Sequence, residues 1–156
     1  MKLKSLIGAL ITSGSLSVLM HYEGIKTKAY LDEAGVPTIC YGHTTHVSMG
    51  DIATPEQCEQ YLKDDLKPAQ AAVARLVRVQ LTQSQFDALT IFVFNVGSGN
   101  FQTSTMLRKI NAGDMVGASQ EFRRWNMLRD ARTGQLRVSK GLINRREAEY
   151  QLFIKE

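Results

Sequence analysis

Apolar positions along the chain follow two regimes, short runs broken by turn-forming residues up to about Gly50 and helical spacing beyond it. Leu16, Leu19 and Met20 stand at i, i+3 and i+4 with Glu23 at i+7, which predicts a helix from Ser15 to Glu23 whose apolar face carries a carboxylate. Gly24 follows as its C-cap. Lys28 to Leu31 and Val36 to Tyr41 flank the turn residues Asp32-Glu33-Ala34-Gly35 and predict a β-hairpin. Thr54-Pro55-Glu56-Gln57 has capping-box spacing with Pro at the first helical position and opens a helix towards Leu76, where Pro68 is expected to kink or interrupt it. Thr82-Gln83-Ser84-Gln85 opens another, Phe86 to Val96, apolar nearly all round and therefore buried, and Gly97-Ser98-Gly99-Asn100 ends it. Further helices are expected from Ser104 or Thr105 to Asn111, from Asp114 to about Met127 and from Ser139 to about Lys155, with 130–135 as a loop. No repeat, low-complexity tract or linker divides the sequence. These elements predict an α+β, mainly helical fold in a single domain over 1–156. A small hairpin lobe covers about 25–60 and a larger all-helical lobe about 65–156, with the helix 13–23 packing on the latter.

The N-terminus narrows the possibilities for transport. Lys2 and Lys4 precede an uncharged stretch from Ser5 to Met20, but only Leu6 to Ile11 is continuously apolar, apart from Gly8, before Thr12-Ser13-Gly14-Ser15 interrupts it. A signal core needs about 7–15 apolar residues and a membrane span about 20. An ordinary amphipathic N-terminal helix is expected, with a cleaved signal or a temporary membrane tether as alternatives.

The 156 residues carry 44% hydrophobic and 22% charged side chains, the composition of a compact globular domain. The net charge of +4 lies C-terminally: residues 1–120 hold 10 Lys and Arg against 10 Asp and Glu, and 121–156 hold 9 against 5. Such a bias favours an anionic polymer or surface as partner. Cys40 and Cys58 cannot form a disulfide framework; buried free thiols are the default expectation, with pairing open in an oxidising compartment.

Chemistry concentrates in the hairpin region. Glu23 is expected on a buried face in the last turn of its helix, where desolvation and the negative end of the helix dipole both raise a carboxyl's pKa. A carboxyl held protonated near neutral pH serves as a general acid. Asp32, at the mouth of the turn, stays in contact with solvent, and Thr38 on the returning strand is expected to bring its hydroxyl near it. A protonated acid facing an ionised carboxylate suits glycosidic hydrolysis. The plainer readings are a Glu that packs its stem and reaches an Arg, and an Asp that only closes its own turn.

Tyr22-Glu23-Gly24, Ala29-Tyr30-Leu31-Asp32 and Gly35-Val36-Pro37-Thr38-Ile39-Cys40-Tyr41-Gly42-His43-Thr44 resemble the active-site stretch of the bacteriophage-type lysozymes, the endolysins of glycoside hydrolase family twenty-four. Their signature of Glu, eight residues, Asp, five residues, Thr is present in that spacing. The resemblance continues in order through Phe94-Asn95-Val96-Gly97, Ser104-Thr105, Leu107-Arg108-Lys109, Trp125, Gly141-Leu142, Arg145-Arg146 and Glu149. It implies a lysozyme-like fold with an active-site cleft between the lobes, and a muramidase that inverts the anomeric carbon as it cleaves the β-1,4 bond from N-acetylmuramic acid to N-acetylglucosamine. By resemblance Glu23 is the acid, Asp32 positions the water and Thr38 is its partner. Phe94 and Asn95 stand where acetamido groups are held, and Ser104 and Ser119 correspond to substrate contacts. His43 is expected to pair with Asp65. Arg145 and Arg146 precede Glu149 at helical spacing, so one Arg is expected to pair locally while the other supports Glu23 or faces acidic peptide stems. Trp125 is expected in the core.

These readings predict a monomer that needs no cofactor and no metal and acts on bacterial peptidoglycan. An anionic envelope or membrane is a further partner to consider, and nucleic acid is not expected, since the Arg cluster lacks interleaved exposed aromatics and zinc spacing. The expected route is host cytoplasm first, then release to the periplasm. The alternatives are a lytic transglycosylase acting on the same bond and a non-catalytic cationic protein that binds wall or membrane through Arg123, Arg124, Arg129, Arg132, Arg137 and Lys140.

Overall fold

A computed structural model describes residues 2–155. The elements run α1 (Ser13–Glu23), β1 (Lys26–Leu31), β2 (Pro37–Cys40), α2 (Pro55–Leu76), α3 (Gln83–Val96), α4 (Ser98–Gln102), α5 (Thr105–Asn111), α6 (Met115–Glu121), β3 (Met127–Arg129), β4 (Leu136–Val138) and α7 (Lys140–Ile154). A short 3-10 turn, Phe122–Arg124, follows α6. The fold is α+β and mainly helical. Backbone contacts group Ser13–Pro68 as one compact unit, and the residues up to Thr12 with Ala69 onwards as the other. The expected lobes divided differently: α1 groups with the hairpin, and the boundary falls inside α2, at Pro68.

In the hairpin unit β1 and β2 are antiparallel, pairing Tyr30 with Thr38 and Leu31 with Pro37, and a bulge lies between Lys26 and Tyr30. The segment at 51–53 runs along the other side of β1, with Ala29 N–H donating to Asp51 O at 3.0 Å and Ala53 N–H to Thr27 O at 2.9 Å. At the far end of β2, Cys40 has φ 63° and Gly42 φ 83°, a tight turn closed by backbone hydrogen bonds between Ile39 and His43. Cys40 and Cys58 are joined by a disulfide and are almost wholly buried. This corrects the free-thiol expectation, because only the turn after β2 brings two positions 18 residues apart into bonding range. Thr54 and Gln57 form the predicted capping box, each side chain taking the other's backbone N–H at 3.1 and 2.8 Å. Pro68 does not interrupt α2: it is exposed, so water can take the carbonyl that its missing N–H leaves unbonded.

The helical unit begins with a surprise. Residues 2–12 form no helix but a strap that spends its backbone hydrogen bonds on other elements. Leu3 N–H donates to Leu81 O, Ile11 N–H to the Gln70 side chain, and Gln83 Nε2 to Leu10 O. Thr12 donates through both N–H and hydroxyl to the buried Asp87 carboxylate. Leu3, Leu6, Ala9 and Ile11 pack on the core. The expected amphipathic helix is corrected for a physical reason: the segment is too short to propagate alone, and tertiary partners satisfy its backbone instead.

Phe92 on α3 centres the core, edge-on to Phe101, Phe122 and Trp125 at 6.5, 5.3 and 5.7 Å, and Phe122 meets Phe153 at 5.4 Å. Residues Phe86 through Val93 are all buried, as the unbroken apolar run requires. Thr82 and Gln85 complete the second capping box. After Gly97 the chain forms α4 rather than stopping in a loop.

The helix expected to reach Met127 ends at Glu121, and a second antiparallel hairpin follows, pairing Met127 with Val138, Leu128 with Arg137 and Arg129 with Leu136. The lobe is therefore not all-helical. Turn chemistry overrides the good helix propensity of Met, Leu and Arg. Asp130 takes the N–H groups of Arg132 and Thr133 on Oδ1, Gly134 at φ 69° donates to Asp130 O, and Asp130 N–H reaches Gln135 O.

Glu121 was not singled out by the sequence although it follows Ala118 by one turn on the buried side of α6. Lys109 Nζ donates to its Oε1 at 2.8 Å and Arg124 Nη1 to its Oε2 at 3.2 Å. The Lys109 hydrogen bond, reinforced by both charges, holds this carboxyl below the ordinary 4.5 although burial opposes it. A folded-state pKa below the unfolded one contributes stability that is complete above about pH 4.5 and is lost as pH falls through the folded value. Glu121→Gln is thus expected to lower the melting temperature at neutral pH and to converge with the parent chain towards about pH 3; parallel melting curves at both pH values would contradict it.

Candidate active site

Glu23 closes α1, and Gly24 at φ 69° caps it with N–H to Met20 O at 3.0 Å. Glu23 is half-buried, as is Met20, while Leu16 and Leu19 are fully covered. The buried acid expected from periodicity is therefore a partly open one: the last turn of a helix faces its end as well as its side.

Asp32 sits in the β1–β2 turn, half-buried. Its Oδ1 accepts from Ala34 N–H and Val36 N–H, both at 2.8 Å, and its own N–H donates to Val36 O. The turn reading and the chemical reading are compatible here. Two amides fix one oxygen and the plane of the carboxylate, leaving Oδ2 with no hydrogen bond among the described residues. Thr38 is buried and gives its hydroxyl proton to Val36 O at 2.9 Å, not to Asp32, which corrects the expected pairing. The hydroxyl instead meets the backbone two residues before it, where the strand leaves the turn. Val36 O accepts from both Asp32 and Thr38, so the hydroxyl braces the turn that carries the carboxylate.

His43 Nδ1 lies 2.8 Å from Asp65 Oδ2, and its ring stacks on Tyr61 at 4.3 Å and 7°. A pocket of about 510 Å3 surrounds this pair and is lined by His46, Asp51 and Asp64 among others, but it contains neither Glu23 nor Asp32. Its place in the fold supports the hairpin rather than the chemistry.

Two grooves mark the surface of the helical unit. One, of about 370 Å3, is lined by Asn100, Thr103, Ser104, Thr105, Glu121, Arg124 and Trp125. The other, of about 410 Å3, shares Asn100, Arg124 and Trp125 and adds Asn95, Met127, Leu128, Leu142 and Arg146. Ser104 lies in the first groove, where its hydroxyl caps α5 by accepting Leu107 N–H at 3.1 Å and donating to Phe101 O at 2.7 Å. Asn95 is exposed in the second, whereas Phe94 is half-buried against the core. Ser119 is buried, and its hydroxyl is spent on Val116 O at 2.6 Å, so the expected substrate contact is corrected: a helix-internal hydrogen bond on a covered face offers nothing to a ligand. Asn100 and Arg124 line both grooves, whereas the sequence reading took Asn100 only as part of a helix stop and Arg124 only as part of a basic surface.

Arg145, Arg146 and Glu149 are all buried on α7. Arg146 Nε stands 2.8 Å from Glu149 Oε2 and Arg145 Nε 3.6 Å from Oε1. Burial pushes the Glu149 carboxyl up to about 7 from the ordinary 4.5, against the pull of both guanidinium ions. Trp125 is only half-covered: it packs on Phe92 and faces both grooves.

The phage lysozyme family matches residues 20–149, a span that takes in Glu23, Asp32 and Glu149. The chain belongs to the phage lysozyme family. It is 42% identical over 143 residues to an endolysin of Acyrthosiphon pisum secondary endosymbiont phage 1, covering 92% of this chain and 97% of that one. It is 43% identical over 146 residues to the SAR-endolysin of Pseudomonas phage phiKMV, covering 94% and 89%. Among solved structures, the muramidase domain of SpmX from Asticaccaulis excentricus superposes with a TM-score of 0.89 at 35% identity over 94% of this lysozyme and 99% of that chain. No described helix of this lysozyme is long and apolar enough to cross a membrane.

Proposed function

We propose that this phage-type lysozyme is an endolysin that hydrolyses the β-1,4 bond between N-acetylmuramic acid and N-acetylglucosamine in peptidoglycan, with Glu23 as general acid and Asp32 as the carboxylate that activates water. Glu23 gives its proton to the glycosidic oxygen as that bond breaks. Asp32 Oδ2 takes a proton from the water whose oxygen attacks the anomeric carbon from the opposite face, so the new reducing end carries an inverted configuration. The observation that carries the reading is the Asp32 carboxylate, with Oδ1 held by two amides and Oδ2 left open in the same compact unit as Glu23. Thr38 braces this turn. Asn95, with Phe94 behind it, binds sugar, Ser104 fixes the start of α5 where it lines the first groove, and His43 with Asp65 holds the hairpin.

Product analysis tests the reaction. Hydrolysis yields reducing muropeptides, and Asp32→Ala is expected to lower their rate of formation by about 10²-fold or more. Anhydro sugars in their place, with full activity in that variant, would make the enzyme a lytic transglycosylase.

The working species is a monomer made in the host cytoplasm that acts in the periplasm. The disulfide supports the periplasmic destination, since such bonds persist in oxidising compartments. The C-terminal basic residues favour retention on the acidic wall and weaken it as salt rises. A temporary membrane tether would have to release the strap at 2–12 from its hydrogen bonds to Leu81, Gln70 and Asp87. Fractionation of the full chain beside one lacking residues 2–11 separates the routes, equal soluble recovery counting against the tether.

A further inference from the structure

The hairpin β3–β4 stands almost wholly in solvent. All of its strand residues are exposed, and so is its loop apart from the half-buried Asp130. Its register puts Met127, Arg129, Leu136 and Val138 on one face and Leu128 with Arg137 on the other. A hairpin ordinarily lays its apolar face on a core and turns polar side chains to water. Here Met127 and Leu128 border the second groove, which gives their exposure a use. Leu136 and Val138 line neither groove, and they are 55% and 57% exposed.

Positive charge accompanies this uncovered hydrocarbon. From Met127 to Lys140 the sequence holds Arg129, Arg132, Arg137 and Lys140 against one acid, Asp130. Asp130 is committed to the turn, and Arg129 is drawn back onto Gly134 O. The side chains of Arg132, Arg137 and Lys140 make no hydrogen bond or ion pair among the described residues. Arg132 stands at the tip of the hairpin and Lys140 at its base, flanking the face of Leu136 and Val138, while Arg137 adds charge from the other face.

An anionic lipid surface answers both features at once. Its phosphates accept from guanidinium and ammonium groups, and the layer beneath them takes leucine and valine hydrocarbon. An acidic wall polymer would use the charges and leave the hydrocarbon in water.

We propose that β3–β4 is a membrane-docking element that seats Leu136 and Val138 in the interface of an anionic bilayer while Arg132 and Lys140 engage its headgroups. The proposal needs neither carboxylate of the muramidase reading.

Flotation of the full chain with vesicles tests it, phosphatidylcholine alone being set against phosphatidylcholine mixed with phosphatidylglycerol. The chain is expected to favour the anionic vesicles by about tenfold or more, less so as salt rises. Leu136→Thr combined with Val138→Thr keeps β-branched strand residues and removes hydrocarbon. It is expected to lower binding to the anionic vesicles about tenfold, with the thermal melt and the cleavage of lipid-free sacculi unchanged. Arg132→Gln combined with Lys140→Gln is expected to lower the same binding about 30-fold at low salt, and it decides alone should the first variant fail to fold. Equal binding of the parent chain to both vesicles, no binding to either, or full binding by the Leu136 and Val138 variant would overturn the proposal. The last result, joined to lost retention on sacculi, would assign the hairpin to the wall polymer instead. A chain that binds vesicles but cleaves no sacculi sinks the muramidase reading alone, and one that cleaves sacculi but binds no vesicles sinks only this inference.

Discussion

Glu23→Gln is expected to lower the rate of peptidoglycan cleavage by about 10²–10⁴-fold, the contribution of a positioned general acid, while the chain still folds. The substitution keeps the shape of the side chain and removes its transferable proton. Glu23 is half-buried at the end of α1, so the proposed acid is partly covered and still within reach of solvent. The measurement is release of soluble muropeptides from purified sacculi, with a thermal melt as control for folding. Undiminished clearing of bacterial cells by the variant would instead point to killing through the basic C-terminal surface.

Reduction of the Cys40–Cys58 bond is expected to lower stability by about 3 kcal/mol, as for a closed loop of this length in the chain-entropy account. For a chain of this size that corresponds to a fall of about 6–12 °C in melting temperature. The bond ties the end of β2 to the first turn of α2 and so holds the turn at Gly42 and His43 against Asp65. Both sulfurs are buried, and Cys58→Ala is expected to reproduce the effect. A melt of the full chain that is unmoved by a strong reductant, with free thiols confirmed by mass, would show that the staple is dispensable. A large fall would link the enzyme's lifetime to an oxidising compartment.

Much of the fold was written in local pattern. Both capping boxes, at Thr54 and Thr82, rest on side chains three residues apart, and the α3 core helix on an unbroken apolar run. The first hairpin followed from turn residues between two short strands, as did the C-cap at Gly24. The candidate site was legible for the same reason: Glu23, Asp32 and Thr38 lie within sixteen residues of sequence, on a helix end and one hairpin.

Features whose partners lie far along the chain were not legible. The strap at 2–12 is decided by Leu81, Gln70 and Asp87, and the disulfide by a left-handed turn at Cys40. The second hairpin overrode helix propensity through Asp130 and Gly134, and Thr38 found Val36 O rather than the carboxylate. Sequence by itself determined the family and the mainly helical architecture and pointed to Glu23 and Asp32 as candidates, because each rests on residue type at short fixed spacing. Only the tertiary structure decided how those groups are held and which oxygen of Asp32 is free. Hydrogen-bond donors and acceptors from distant segments settle such orientations, and a linear pattern does not contain them.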